Sequence, residues 1–227
     1  AYIQLAYSYY ESGQVEPAIA TLEQALNNGV PDRDVRIRLG LYLAESRVDT
    51  ARAIKLLEGL PETDAEAMNA LGVAYGEAGR FGDAIRTFKK VLALDPTNGL
   101  ALQNIASMLL RQAMASPGAR DRPARLKEAE TFARQAIAAD PALAKAHTTL
   151  GVVLVQLGGA AAAIDQWKRA VELDGAEFDA LYNLWVELAK AGRRDEALAY
   201  GQQYVRTAPP SFFRVEIEQI KAYIGGR

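Results

Sequence analysis

Residues 67–98, AMNALGVAYGEAGRFGDAIRTFKKVLALDPTN, decide how the rest of the chain is read. Met68, Leu71, Val73, Ala74 and Tyr75 cluster at helical spacing, and Gly79-Arg80-Phe81-Gly82 interrupts them. Ala84, Ile85, Phe88, Val91 and Leu92 then recur at the i, i+3, i+4, i+7 spacing of a one-sided apolar stripe. Asp95-Pro96 ends that second pattern, because proline disfavours helical geometry in the residue before it. The stretch predicts two short helices joined by a turn. Such a hairpin cannot bury its apolar faces alone and needs neighbours of the same kind.

Those neighbours are present. Ala84 recurs as Ala129, Ala163 and Ala197, at steps of 45, 34 and 34 residues, and Pro96 recurs as Pro141, Gly175 and Pro209 at the same steps. Gly72, Gly151 and Trp185 fall on that grid, and Ala53 and Ala18 extend it backwards at steps of 31 and 35. Several landmarks sharing one period mark a repeat architecture. On these residues the chain resembles the tetratricopeptide repeat (TPR) family, whose pattern Leu71, Gly72, Tyr75, Gly79, Ala84, Phe88 and Pro96 match; Val91 replaces the second alanine of helix B. The resemblance covers nearly the whole chain. It implies an all-α fold, a right-handed superhelical solenoid of helix-turn-helix repeats closed by a C-terminal capping helix.

Six repeats are expected over 1–210, at about 1–32, 33–64, 65–98, 99–143, 144–177 and 178–210, then a capping helix over 211–224 and a mobile tail, Gly225-Gly226-Arg227. The first ends at Asn28-Gly29-Val30-Pro31. In the second, Arg47-Val48-Asp49-Thr50 stands where a glycine turn is usual. The fourth carries about eleven extra residues, marked by Ser116-Pro117-Gly118 and Arg122-Pro123, so a long loop or lengthened helix ends are expected near 113–124. Basic residues surround it: Arg111, Arg120, Arg122, Arg125 and Lys127. They read as a solvated face or as a contact for an acidic partner. In the sixth, Trp185 stands where a tiny residue is wanted and Gly201 where a bulky one is, an exchange that compensates in volume.

Composition narrows the function. A net charge of −2 gives no global basic field for nucleic acid. The absence of cysteine removes disulfides, thiolate catalysis and thiolate metal sites. It leaves the compartment open: a soluble chain, cytoplasmic or periplasmic. No apolar run is long enough for a membrane span. Ala1 falls inside what should already be the first helix, so the chain is expected to be part of something longer.

The inventory for catalysis is thin. His147, the only histidine, falls where TPR helices pack a large residue, and reads as structural. Gly72, Gly76, Gly79 and Gly82 follow a helix and precede no Gly-Lys-Ser/Thr, so they make no phosphate cradle. Glu62, Asp64 and Glu66, like Asp32 and Asp34, precede helices, where negative charge suits the N-terminal dipole. No enzyme activity, metal or cofactor is expected.

Binding is where the residues point. The resemblance implies a groove lined by helix-A positions, here Asn69, Gln103, Asn104, Ser107, Arg111, Lys145, Thr148, Thr149, Gln156, Tyr182, Asn183 and Lys190. Amides bind an extended peptide backbone, and lysine and arginine suit carboxylates. The expected partner is therefore a protein or extended peptide, with an acidic or C-terminal-carboxylate segment among the options. Chaperone-binding TPR domains clamp a C-terminal carboxylate with five residues. Asn104 and Lys145 match that set, while Asn69, Val73 and Thr149 depart from it, so that clamp is rejected. A second reading makes the chain the C-terminal accessory domain of a larger enzyme. Residues 204–213, YVRTAPPSFF, resemble the ends of TPR segments that trail sulfatase-type hydrolases, none of whose catalytic residues is present.

Overall fold

The computed structural model describes residues 1–30 and 32–225. The expected stop at Pro31 and the tail residues Gly226 and Arg227 lie outside them. Among the described residues there are thirteen helices and no strand. In chain order these are α1 (Tyr2–Glu11), α2 (Val15–Asn27), α3 (Asp32–Glu45), α4 (Thr50–Glu58), α5 (Ala65–Glu77), α6 (Phe81–Leu94) and α7 (Gly99–Ala115). They continue as α8 (Arg122–Ala139), α9 (Ala144–Gln156), α10 (Ala160–Leu173), α11 (Phe178–Lys190), α12 (Arg194–Thr207) and α13 (Pro210–Gly225). None is long and apolar enough to cross a membrane. The chain forms two compact units, Ala1–Arg111 and Gln112–Arg227.

In the first unit the α5–α6 hairpin shows how the local rules operate. Asp64 caps α5 by accepting from the Ala67 amide at 3.2 Å. The helix ends at Glu77 and the chain turns at Gly79, whose φ of +74° only glycine adopts without strain. There the Arg80 amide donates to the Tyr75 carbonyl at 2.8 Å and the Gly79 amide to Gly76 at 3.1 Å, satisfying carbonyls that the helix end would orphan. On α6 the residues Ala84, Phe88 and Val91 are buried, and Asp95 is extended ahead of Pro96. Gly72 is required by packing: a Cβ there would stand 2.5 Å from the Phe88 ring. Gly40 likewise makes room for Leu57, at 2.7 Å.

The second repeat shows why its turn lacked a recognisable sequence. Arg47 adopts φ +57°, matching the backbone of the turn glycines Gly13, Gly79, Gly158 and Gly192. An arginine is strained there, and its guanidinium pairs with Glu77 at 2.9 Å. The acidic groups ahead of α5 also have partners: Arg33 reaches Asp64 at 2.6 Å and Glu66 at 2.9 Å, and Lys90 holds Glu62 at 2.6 Å.

The extra residues of the fourth repeat lengthen its helices to 17 and 18 residues in α7 and α8. In the second unit the basic residues beside them are largely held within the chain. Arg122 donates to Gln156 at 2.7 Å, Arg125 pairs with Asp121 at 2.5 Å, and Lys127 with Glu130 at 3.0 Å. Farther along, α13 packs on α12 and buries Ile217 and Ile220, while Phe212 and Val215 stay exposed. Its first turn is interrupted at Phe213, whose φ/ψ of −123°/29° is non-helical.

Candidate protein-binding surface

The first unit carries Asn69 on α5 and Gln103, Asn104, Ser107 and Arg111 on α7. The two helices approach closely at their C-terminal halves, where a Cβ on Gly76 would meet the Met108 sulfur at 2.6 Å. There Arg111 pairs with Glu77 at 2.6 Å and lies over the Phe81 ring at 5.3 Å. Since Glu77 also holds Arg47, one carboxylate joins three successive repeats. Gln103 is only 5% exposed. Asn69, Asn104 and Ser107 are half-buried; the Asn69 Oδ1 atom has no hydrogen-bond partner.

In the second unit Lys145, Thr148 and Thr149 lie on α9, and Tyr182 and Asn183 on α11, which touches it. Lys145 is exposed, whereas Thr148 and Thr149 are 7% and 9% exposed. The Tyr182 hydroxyl donates to Gln219 of α13 at 2.9 Å, and its ring packs near Trp185 and Tyr204. Asn183 is half-buried. Gln156 accepts from Arg122, and Lys190 pairs with Glu187 at 2.6 Å. His147 is packed, its Nδ1 2.9 Å from Gln166 Oε1. Of the twelve positions, Asn104, Ser107 and Asn183 are partly accessible with no side-chain hydrogen bond among the described residues, Lys145 is exposed and Asn69 keeps an unpaired Oδ1, while the other seven are buried or bonded.

Lys145 has surroundings that its place in the repeat did not announce. It lines a cleft of about 330 Å³ with Asp140, Ala142, Leu143, Leu173, Asp174 and Glu177. An adjoining cleft of about 310 Å³ shares Lys145, Asp174 and Glu177, and adds Phe178, Asp179 and Phe213. Asp140 and Asp174 each use one oxygen to hold their own turns, accepting from the amides of Ala142 at 3.0 Å and Ala176 at 2.9 Å. Glu177 is 8% exposed, and burial pushes its carboxyl above the usual range, with Lys145 opposing the shift. The nearby Thr148 hydroxyl donates to the Ala144 carbonyl at 3.3 Å. Glu177 occupies the N-cap of α11 yet makes no side-chain cap bond, whereas Asn98, at the same place in the repeat, accepts from Ala101 at 3.0 Å. A glutamate where Asp64 and Asn98 cap the helices of earlier repeats was the available signal.

The hairpins define an all-α helical-repeat protein. Family models of the tetratricopeptide repeat match residues 65–98, and residues 3–67 and 148–212. The chain therefore belongs to the TPR family. Solved structures share the fold. PilW, a widely conserved type IV pilus biogenesis factor, aligns over 97% of this chain and 96% of its own, with a TM-score of 0.67 and 20% identity. A thermophilic TPR protein of Thermus thermophilus aligns over 97% of each chain, at 0.64 and 20%. YrrB, a TPR protein with an unusual peptide-binding site, aligns over 87% of this chain and 97% of its own, at 0.50 and 20%. No curated protein matches the chain by sequence.

Proposed function

We propose that this chain is a non-catalytic protein-binding scaffold that holds an extended segment of a partner along the first helices of its hairpins. One observation carries the reading. Asn104 and Ser107 on α7 in the first unit, and separately Asn183 on α11 in the second, are partly accessible, and their side chains make no hydrogen bond among the described residues. Amides and hydroxyls placed in this way offer donors and acceptors to a peptide backbone. YrrB, which shares the fold, is described as having a peptide-binding site, and that supports the reading. A preference for an acidic segment would rest on Arg111 and Lys145. Arg111 is already paired with Glu77, and Lys145 stands among carboxylates.

The test is selection of a binding peptide from a random displayed library, followed by titration against Asn104→Ala with Ser107→Ala. Loss of two hydrogen bonds should weaken binding by about tenfold or more with helicity unchanged. Equal binding by the wild type and the double variant would refute the reading.

A further inference from the structure

We infer that the paired clefts at the start of α9 and α11 receive a cationic side chain, arginine or lysine, from a partner protein. The inference rests on the protein-binding reading and specifies the charge of the partner at this place. Four carboxylates, Asp140, Asp174, Glu177 and Asp179, line the two clefts against the single ammonium of Lys145. The field there is negative, the reverse of what Lys145 alone suggested.

Acidic residues by themselves would make only a solvated turn. Glu177 adds an independent reason. Its side chain is more than nine-tenths buried and lines both clefts, and the nearby Thr148 hydroxyl donates elsewhere, to the Ala144 carbonyl at 3.3 Å. Among the described residues no ammonium or guanidinium forms an ion pair with it; Lys145 acts on it without direct bonding. It serves no capping role. A buried carboxylate without a paired cation is costly, and a cation entering the cleft removes that cost.

The walls fit the stem of such a side chain as well as its head. Leu143 and Leu173 border one cleft, and Phe178 and Phe213 the other, with the two rings 5.1 Å apart. Long basic side chains pack their methylenes on apolar surface while keeping the charged end on polar groups. Phe213, the ring beside Phe178, is also the residue at which α13 is interrupted. An arginine or lysine would thus lie with its stem on leucine or phenylalanine and its head at Glu177, with Asp174 beside it.

The probes are two acetylated, amidated pentapeptides, alanine throughout except for a central arginine in one and a central glutamate in the other. Each is titrated into the isotope-labelled chain while amide resonances are followed. The arginine peptide should move the signals of Lys145, Glu177 and Phe178, with the shift diminished by added salt. Glu177→Gln should weaken it about tenfold or more, and Lys145→Met should strengthen it. Circular dichroism should show both variants folded, since neither side chain caps a helix. The inference falls if the glutamate peptide moves those signals instead, if no shift occurs at the highest soluble peptide concentration, or if Glu177→Gln binds as the wild type does. A library-selected peptide that depends on Asn104 and ignores Glu177 would leave the scaffold reading standing and overturn only this one.

Discussion

The hairpins α9–α10 and α11–α12 solve one packing problem in opposite ways. In the first, the helix-A position is Gly151 and the helix-B position is Trp167. In the second, helix A brings Trp185 and helix B brings Gly201. A Cβ on Gly151 would overlap the indole nitrogen of Trp167, and a Cβ on Gly201 would stand 3.1 Å from Trp185 and 2.9 Å from Ile220 of α13. The hairpin therefore conserves the volume shared between its helices, and either helix can supply the large member. The two indoles differ in one further respect. Trp167 donates to the Thr148 carbonyl at 3.1 Å, whereas the buried Trp185 N–H has no partner.

The comparison is most exposed to failure at the glycines. Gly151→Leu should cost roughly 1–3 kcal/mol by forcing α9 from α10, and Gly201→Leu a similar amount. Adding Trp185→Gly to Gly201→Leu should recover part of that loss, because residues sharing one space do not act additively. Thermal melts of the two singles and the double decide it: an unchanged melt for Gly151→Leu would discredit the repeat alignment. Strictly additive losses would show that Trp185 and Gly201 do not share space.

A smaller effect separates the two indoles. Trp167→Phe loses a hydrogen bond, while Trp185→Phe removes an N–H that had none. The first should therefore be costlier by about 1 kcal/mol. Denaturant unfolding of the two variants measures the difference, and equal losses would remove the distinction between the hairpins.

The smallest effect concerns the link between them. Glu196 of α12 receives Arg193 at 2.7 Å and Lys168 of α10 at 2.8 Å, and these bonds lower its carboxyl to about 2. A folded value below the unfolded one, about 4.3, means that its contribution is present above that pH and is lost as pH falls toward 2. Urea midpoints of the wild type and Glu196→Gln should differ at neutral pH and converge under acid. A difference that persists at low pH would show that the ion pairs are not its source.

The sequence made the hairpins legible because their landmarks answer to local chemistry. The apolar stripe of α6, the proline after Asp95 and the turn glycine at Gly79 each act within a few residues of chain. Arg47 escaped that reading, because its left-handed backbone is imposed by the hairpin it closes and carries no sequence mark. The insertion was visible at 113–124, but periodicity could not choose between a loop and longer helices; the structure places much of it in α7 and α8. The candidate surface was less legible. Gln103, Thr148 and Thr149 occupy helix-A positions that the repeat grid assigns to a groove, yet neighbouring side chains cover them. Glu177 was passed over because its importance lies in what surrounds it.

Local spacing, turn residues and one recurring period were enough to establish an all-α array of TPR hairpins, since each of those features expresses forces acting along a short piece of chain. Which helix-A side chains remain accessible, the pairing of Arg33 with Asp64 and of Arg47 and Arg111 with Glu77, and the meeting of Lys145 with Asp174 and Glu177 came from elements brought together across sequence separations of about 30 residues. Burial and charge at such places are sums over neighbours in space, and no short window of sequence contains them.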